Sequence, residues 1–232
     1  MSVDILAIGA HMGDEIAWGQ ALAAHKRLGF TIGMLHLTPG EKGHKTLSPE
    51  EYAAQKHIEA AECAEVLGAE MWALDYKDGE LKTDDETKMA VARVIREAAP
   101  RLIITHWRSG MHKDHLAAHE MLSDARFYAG IAGFDLGAKA HWAGQVYYGE
   151  NWEDLKDYVP EVFVKLLPED LEVYEKAMQR YALFRGEVAS FPYLDYYKAL
   201  AKTRGCEAMC GLACTFAVPP DQRRKVLPSL LA

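Results

Sequence analysis

Two histidines and one aspartate, His11, Asp14 and His115, have the side-chain types and spacing of a metal centre. His11 and Asp14 follow the apolar run Val3-Asp4-Ile5-Leu6-Ala7-Ile8-Gly9-Ala10 within one turn. His115 closes His112-Lys113-Asp114-His115, shortly after a second apolar run, Leu102-Ile103-Ile104-Thr105-His106. Short β-branched runs that stop at such clusters read as buried strands whose carboxyl ends carry ligands. One carboxylate oxygen and two imidazole nitrogens, with a fourth place left for solvent, make a hydrolytic zinc centre. Such an ion brings the pKa of bound water towards ~7 and supplies hydroxide at neutral pH. Iron(II) or another divalent ion also suits this ligand set. His112 and Asp114 stand beside the third ligand, where an imidazolium held by a carboxylate suits oxyanion stabilisation or leaving-group protonation. The remaining histidines, His25, His36, His44, His57, His106, His119 and His141, are read as ordinary surface or core residues.

These residues need a scaffold that holds two distant strand ends together. Hydrophobic periodicity predicts strands over 3–10, 31–38, 71–76, 102–105, 145–149 and 161–167. Helices are expected over 14–28, 49–67, about 84–99, 114–129, 168–184 and 193–203. Ser48-Pro49-Glu50-Glu51 has the form of a helix start, with Ser as N-cap, Pro next and Glu at the third position. Strands alternating with helices imply an α/β, Rossmann-like, mostly parallel sheet with helices on both faces. The reading is one domain over 1–232, with a core in 1–130 and a part completing the cleft in 131–232. Arg204 and Gly205 are placed in a loop before the last apolar segment. Arg223-Arg224-Lys225 reads as a solvated tail.

Composition excludes several classes. The chain has 232 residues, half of them hydrophobic, enough for one substantial core. A formal net charge of −8 lacks the electrostatic footprint of a nucleic-acid binder. No apolar stretch reaches the roughly 18–20 residues of a membrane span. With no leader-like start, a cytoplasmic location is expected. Four cysteines do not make a disulfide framework at this length. Cys206, Cys210 and Cys214 recur every four residues and read as one buried helix face. There is no G-x-G-x-x-G fingerprint, G-x-S-x-G elbow or P-loop.

At these motifs the sequence resembles the LmbE-like zinc N-deacetylases, which include the N-acetylglucosaminyl-phosphatidylinositol de-N-acetylases. The family's A-H-P-D-D-E stands as Ala10-His11-Met12-Gly13-Asp14-Glu15, and L-T-x-G-E-x-G as Leu37 to Gly43. R-x-x-E stands as Lys56 to Glu59, D-G-x-L as Asp78 to Leu81, and H-P-D-H as His112 to His115. The blocks keep their order over most of the chain. Ala125 to Gly130 is most similar to the bacillithiol-biosynthesis subgroup. The resemblance implies a zinc-dependent de-N-acetylase of a small N-acetylglucosamine conjugate or related N-acyl compound. It implies His11, Asp14 and His115 as metal ligands and His112, oriented by Asp114, as the group for the oxyanion or leaving amine. It also implies a homo-oligomer, a trimer or hexamer.

The usual general base of the family, the first Asp of P-D-D, is Gly13 here. Glu15, Glu41 or His112 would then have to move the proton, giving a slow hydrolase; the alternative is a metal-retaining binder without turnover. Substrate contacts are expected from Lys56, which replaces the family's Arg, and from Trp18, Arg108 and Glu41. One of Tyr147 and Tyr148 is expected to face inward.

Overall fold

A computed structural model describes residues 2–153 and 155–223. Seven strands form one sheet: β1 (Ile5–His11), β2 (Ile32–Thr38), β3 (Ala69–Ala73), β4 (Leu102–His106), β5 (Gln145–Gly149), β6 (Val162–Lys165) and β7 (Ala213–Ala217). Their order is β3-β2-β1-β4-β5-β7-β6. The first five strands are parallel, with Ile5 beside both Ile32 and Leu102. β7 runs antiparallel to β5 and β6, so the far edge departs from the parallel pattern. β2 is buried along its whole length, as a strand covered on both faces must be.

Among the described residues, six helices cover the sheet: α1 (Gly19–Arg27), α2 (Pro49–Leu67), α3 (Asp85–Ala98), α4 (Lys113–Gly130), α5 (Pro168–Met178) and α6 (Tyr193–Glu207). The side-chain alternation of β1 divides the core. Ile5 and Ala7 pack with α1, α2, α5 and α6, whereas Leu6, Ile8 and Ala10 pack with α3 and α4. Tyr147 and Tyr148 follow the same rule and go to opposite layers. Chain order reverses between β1 and β4, and in open α/β sheets the crevice at such a switch point takes the ligand. His11 and His106 end these two strands.

Local chemistry sets the boundaries. Ser48 and Glu51 form the expected capping box of α2, and Gly68 ends that helix in the left-handed region. The helix expected from residue 14 begins as a 3-10 turn, Asp14–Ala17, and α1 starts only at Gly19. α5 stops at Met178, and a succession of tight turns carries Tyr181 and Phe184 into the interior. Arg204 and Gly205 lie within α6 and not in a loop; Arg204 pairs with Glu150 and Glu207. The three C-terminal cysteines do not share a helix face. Cys206 is exposed on α6, Cys210 lies beyond it, and Cys214 is buried on β7, because left-handed Met209 and Gly211 turn the chain. Arg223 pairs with Glu161 at 2.6 Å; Arg224 and Lys225 lie outside the described residues.

One buried cation ties α3 to the end of α4. Arg96 donates to the carbonyls of Tyr128, Ala129, Ile131, Phe134 and Ala138. Arg96→Ala is expected to destabilise the protein by about 3 kcal/mol, because it orphans several carbonyls at once. Urea unfolding measures it, and a loss under about 1 kcal/mol contradicts that role.

Candidate metal centre

The end of β1 and the start of α4 bring the three predicted ligands together. His11 Nδ1 lies 3.2 Å from His115 Nε2 and 3.5 Å from Asp14 Oδ2, and His115 Nε2 lies 3.4 Å from Asp14 Oδ1. Bonds of roughly 2.0–2.1 Å to one tetrahedral ion give donor–donor edges of about 3.3–3.4 Å, so the two imidazole nitrogens are near the spacing of two ligands of one ion, with a different oxygen of Asp14 facing each of them. The outer nitrogen of His115 is braced as a metal ligand requires. His115 Nδ1 donates to Glu153 Oε1 at 3.0 Å, leaving Nε2 free to ligate. His11 Nε2 is buried without a well-formed hydrogen bond, 3.3 Å from Asp78 Oδ1 and 3.5 Å from Asp114 Oδ2. Asp14 Oδ2 accepts from the His11 amide at 2.7 Å.

Electrostatics reinforce this fit. Burial works against charge on His11 and His115. The carboxylates of Asp14, Asp114 and Asp78 nevertheless raise His11 well above the usual imidazole range. Asp14 and Glu153 push His115 up to about 9. The carboxylates around these two rings therefore favour positive charge here, and a divalent cation would displace the ring protons and supply that charge instead.

His106 is a site residue that the sequence reading missed. The donor atoms of Asp14, His106 and His115 lie close enough for a metal, as do those of His11, His112 and His115 and those of His11, Asp78 and Asp114. However, His106 Nε2 is already 3.0 Å from Asp14 Oδ2 and 3.1 Å from the Ala10 amide nitrogen. Its ring stacks on His115 and meets the edge of Trp18. Burial and the neighbouring His115 lower its pKa to about 4, so it is a neutral brace for Asp14.

His112 is the N-cap of α4. Its Nδ1 accepts from the Asp114 amide at 3.2 Å, which leaves the proton of the neutral ring on Nε2. Nε2 is 3.8 Å from Asp78 Oδ1 on the cleft wall. Burial, with His11 and His115 nearby, lowers its pKa and favours the neutral ring. The Asp114 carboxylate does not hold His112. It accepts from the Gly79 amide at 2.6 Å and faces His11.

The cleft above the triangle encloses about 290 Å³ and is lined on its far side by Tyr52, Trp152, Phe184 and Tyr193. Four predicted site residues are elsewhere. Glu15 is buried with both oxygens turned inward, accepting from the Gly13 amide, His36 and Tyr181, and does not line the cleft. Trp18 is 1% exposed and packs against His106, too deep to touch a substrate. Arg108 stacks over Trp107 and borders a different cavity. Glu41 accepts from the Asp78 amide and so positions Asp78 without lining the cleft. Lys56 does line it.

The comparisons agree with this architecture. Residues 6–126, just over half of the chain, match the GlcNAc-PI de-N-acetylase (PIG-L) family. The chain belongs to this family. It is 27% identical over 215 residues to a diacetylchitobiose deacetylase of Thermococcus kodakarensis, covering 82% of this chain and 80% of that protein. A conserved protein of Thermus thermophilus, of solved structure, superposes with a TM-score of 0.83 at 25% identity, covering 97% and 98% of the two chains. The 4-carboxy-2-hydroxymuconate hydratase of Pseudomonas putida shares the fold, with a TM-score of 0.82 at 23% identity and coverage of 99% and 100%.

Gly13 stands where the sequence resemblance expects the family's general base. Gly13 has φ 107°, in the left-handed region, and a Cβ there would lie 3.2 Å from Lys56 Nζ and 3.3 Å from Phe184 Cζ. Backbone and neighbours together therefore disfavour any side chain at this position. Gly13→Asp is expected to destabilise the protein by about 2 kcal/mol through backbone strain, with no rise in turnover towards the ~10²–10⁴-fold of a positioned base. Thermal unfolding and acetate release measure both; a stable, faster variant contradicts this account.

Proposed function

We propose that this protein is a zinc-dependent amide hydrolase that removes the acetyl group from a small N-acetylated amino sugar or related N-acyl compound. The observation that carries the proposal is the convergence of His11 Nδ1, His115 Nε2 and the Asp14 carboxylate, the two nitrogens 3.2 Å apart and each within 3.5 Å of an Asp14 oxygen. Family membership supplies the reaction class.

His11, Asp14 and His115 would hold the ion, and the two-nitrogen, one-oxygen set favours Zn2+ over harder ions. The ion, when bound, supplies Lewis-acid polarisation and water activation. The chain's own residues orient and exclude. Glu153 and His106 fix the faces of His115 and Asp14. The Nε2–H of His112 points from the wall towards the cleft and donates to the oxygen that gains charge, or to the departing nitrogen. Tyr52, Trp152 and Tyr193 offer faces for a sugar ring. No side chain stands at position 13 to take the proton of water, so turnover is expected to be slow for the family. The proposal extends to a cytoplasmic homo-oligomer, for which exposed Phe127, Ile131 and Trp142 offer apolar surface. Light scattering reads the assembly, and a monomer at all concentrations removes that part.

Reconstitution with Zn2+ and with Fe2+ tests the whole. Metal stoichiometry is measured beside acetate release from N-acetylglucosamine, N,N'-diacetylchitobiose and N-acetylglucosaminides. About one bound ion per chain with acetate release supports hydrolysis. Full metal loading with no acetate from any substrate leaves a binding protein instead.

A further inference from the structure

We infer that Glu153 is a positioning residue that couples metal binding to the loop presenting His112. This deepens the hydrolytic reading of the same site and rests on it. The two carboxylate oxygens of Glu153 have different partners. Oε1 accepts from His115 Nδ1 at 3.0 Å, on the ring whose Nε2 faces Asp14. Oε2 accepts from the Met111 amide at 2.7 Å, one residue before His112. The Glu153 side chain is 2% exposed, so solvent competes little for either oxygen.

The carboxylate is held from both sides. Its own amide donates to Asn151 Oδ1 at 2.7 Å, and Glu150 pairs with Arg204 of α6, which fixes the chain after β5. Facing it, Gly110 leaves the space it needs, because a Cβ there would overlap Glu153 Oε2. Trp107 Nε1 and Ser109 Oγ both donate to the Lys156 carbonyl, at 2.9 and 3.0 Å. The loop after β4 is thus tied to the segment after β5 at Trp107, Ser109 and Met111. Of these ties, the one at Met111 runs through the partner of a metal ligand.

With an ion on Nε2, the Nδ1–H of His115 is a stronger donor, and hydrogen bonds that share a carboxylate reinforce one another. Fixing Glu153 in this way holds Oε2 against the Met111 amide. His112 follows directly and caps α4, so its Nε2–H is presented from a backbone that Glu153 holds. Glu153 acts through these neighbours. Coupling of this kind is reciprocal: whatever factor the ion adds to the order of the loop, the loop adds to affinity for the ion.

Amide hydrogen exchange around Met111 and His112, followed with and without Zn2+, tests this beside zinc affinity. In the parent protein Zn2+ is expected to slow exchange there about tenfold or more, within the usual range of such couplings. In Glu153→Gln the carboxamide has one acceptor oxygen and a donor in place of the other, so it cannot accept from both partners. That variant should lose the zinc-dependent slowing, bind zinc about 10–100-fold more weakly, and lose kcat more than it changes KM. Gly110→Ala displaces the same oxygen without touching a ligand and should weaken zinc by the factor of protection it loses. Should Glu153→Gln fail to fold by circular dichroism, Gly110→Ala carries the measurement. Exchange in the parent that ignores zinc overturns the inference. So does a Glu153→Gln protein that keeps the zinc-dependent slowing, since Glu153 then braces His115 alone. Both readouts need no substrate: coupling without acetate release removes the hydrolase reading and keeps the coupling. Acetate release with exchange indifferent to zinc does the reverse.

Discussion

Asp14→Ala is expected to abolish tight metal binding and to lower acetate release by about 10³-fold or more, since a bound ion contributes several kcal/mol to the transition state. The reason is the number of tasks this carboxylate performs. Oδ1 faces His115 Nε2, while Oδ2 accepts from the His11 amide and lies 3.0 Å from His106. It supplies the anionic ligand of the centre, fixes the turn after β1 and faces three imidazoles. Burial alone would raise its pKa, yet those histidines hold it well below the usual carboxylate range. His106→Asn separates bracing from ligation. It should retain the ion with metal affinity reduced by about 10–100-fold, the typical cost of losing an outer-shell partner. Metal content after dialysis against a weak chelator, read by atomic emission, orders the variants. An Asp14→Ala protein that keeps one equivalent of zinc and its activity removes the proposed centre.

The ligand loop was legible because two signals coincide. An apolar strand run ends at a metal-type residue pair, and a second run does the same about a hundred residues later. Parallel α/β topology then leaves few places for these ends other than the switch point. α2 was legible to the residue because its cap chemistry is local. What failed was whatever depends on the direction a side chain takes. Glu15 adjoins a ligand in sequence, but the 3-10 turn after Gly13 rotates it under the sheet, towards His36 and Tyr181. Trp18 rotates with it into the core.

Residues supplied by irregular chain were not legible at all. Glu153 reaches His115 from the segment after β5, where no periodicity marks it. His106 had a readable signal in hindsight, since it ends β4 as His11 ends β1. Lys56 stands where the resemblance expects an Arg, but its place against Gly13 is a relation between α2 and the β1 loop that appears only in three dimensions. The same contact explains why Gly13 and Lys56 belong together: an ammonium fits where a residue-13 side chain is absent.

His112 permits a sharper division between positioning and chemistry. His112→Asn is expected to lower kcat by about 10²–10³-fold with KM nearly unchanged, the loss typical when one donor to a developing charge is removed. The substitution is chosen because His112 is also the N-cap of α4, accepting from the Asp114 amide. Asparagine is a favourable N-cap residue, so the helix start is preserved; His112→Ala adds about 1 kcal/mol of destabilisation. If the imidazole served only to cap α4, His112→Asn would retain parental turnover and His112→Ala would lose activity in step with stability. If it donates from Nε2, both variants lose kcat together while only the alanine variant loses stability. The N-cap bond engages Nδ1 and leaves the neutral ring its proton on Nε2, the atom on the cleft side nearest Asp78. Comparing kcat with unfolding free energy across parent, His112→Asn and His112→Ala therefore reads the direction of the hydrogen bond as well as its size.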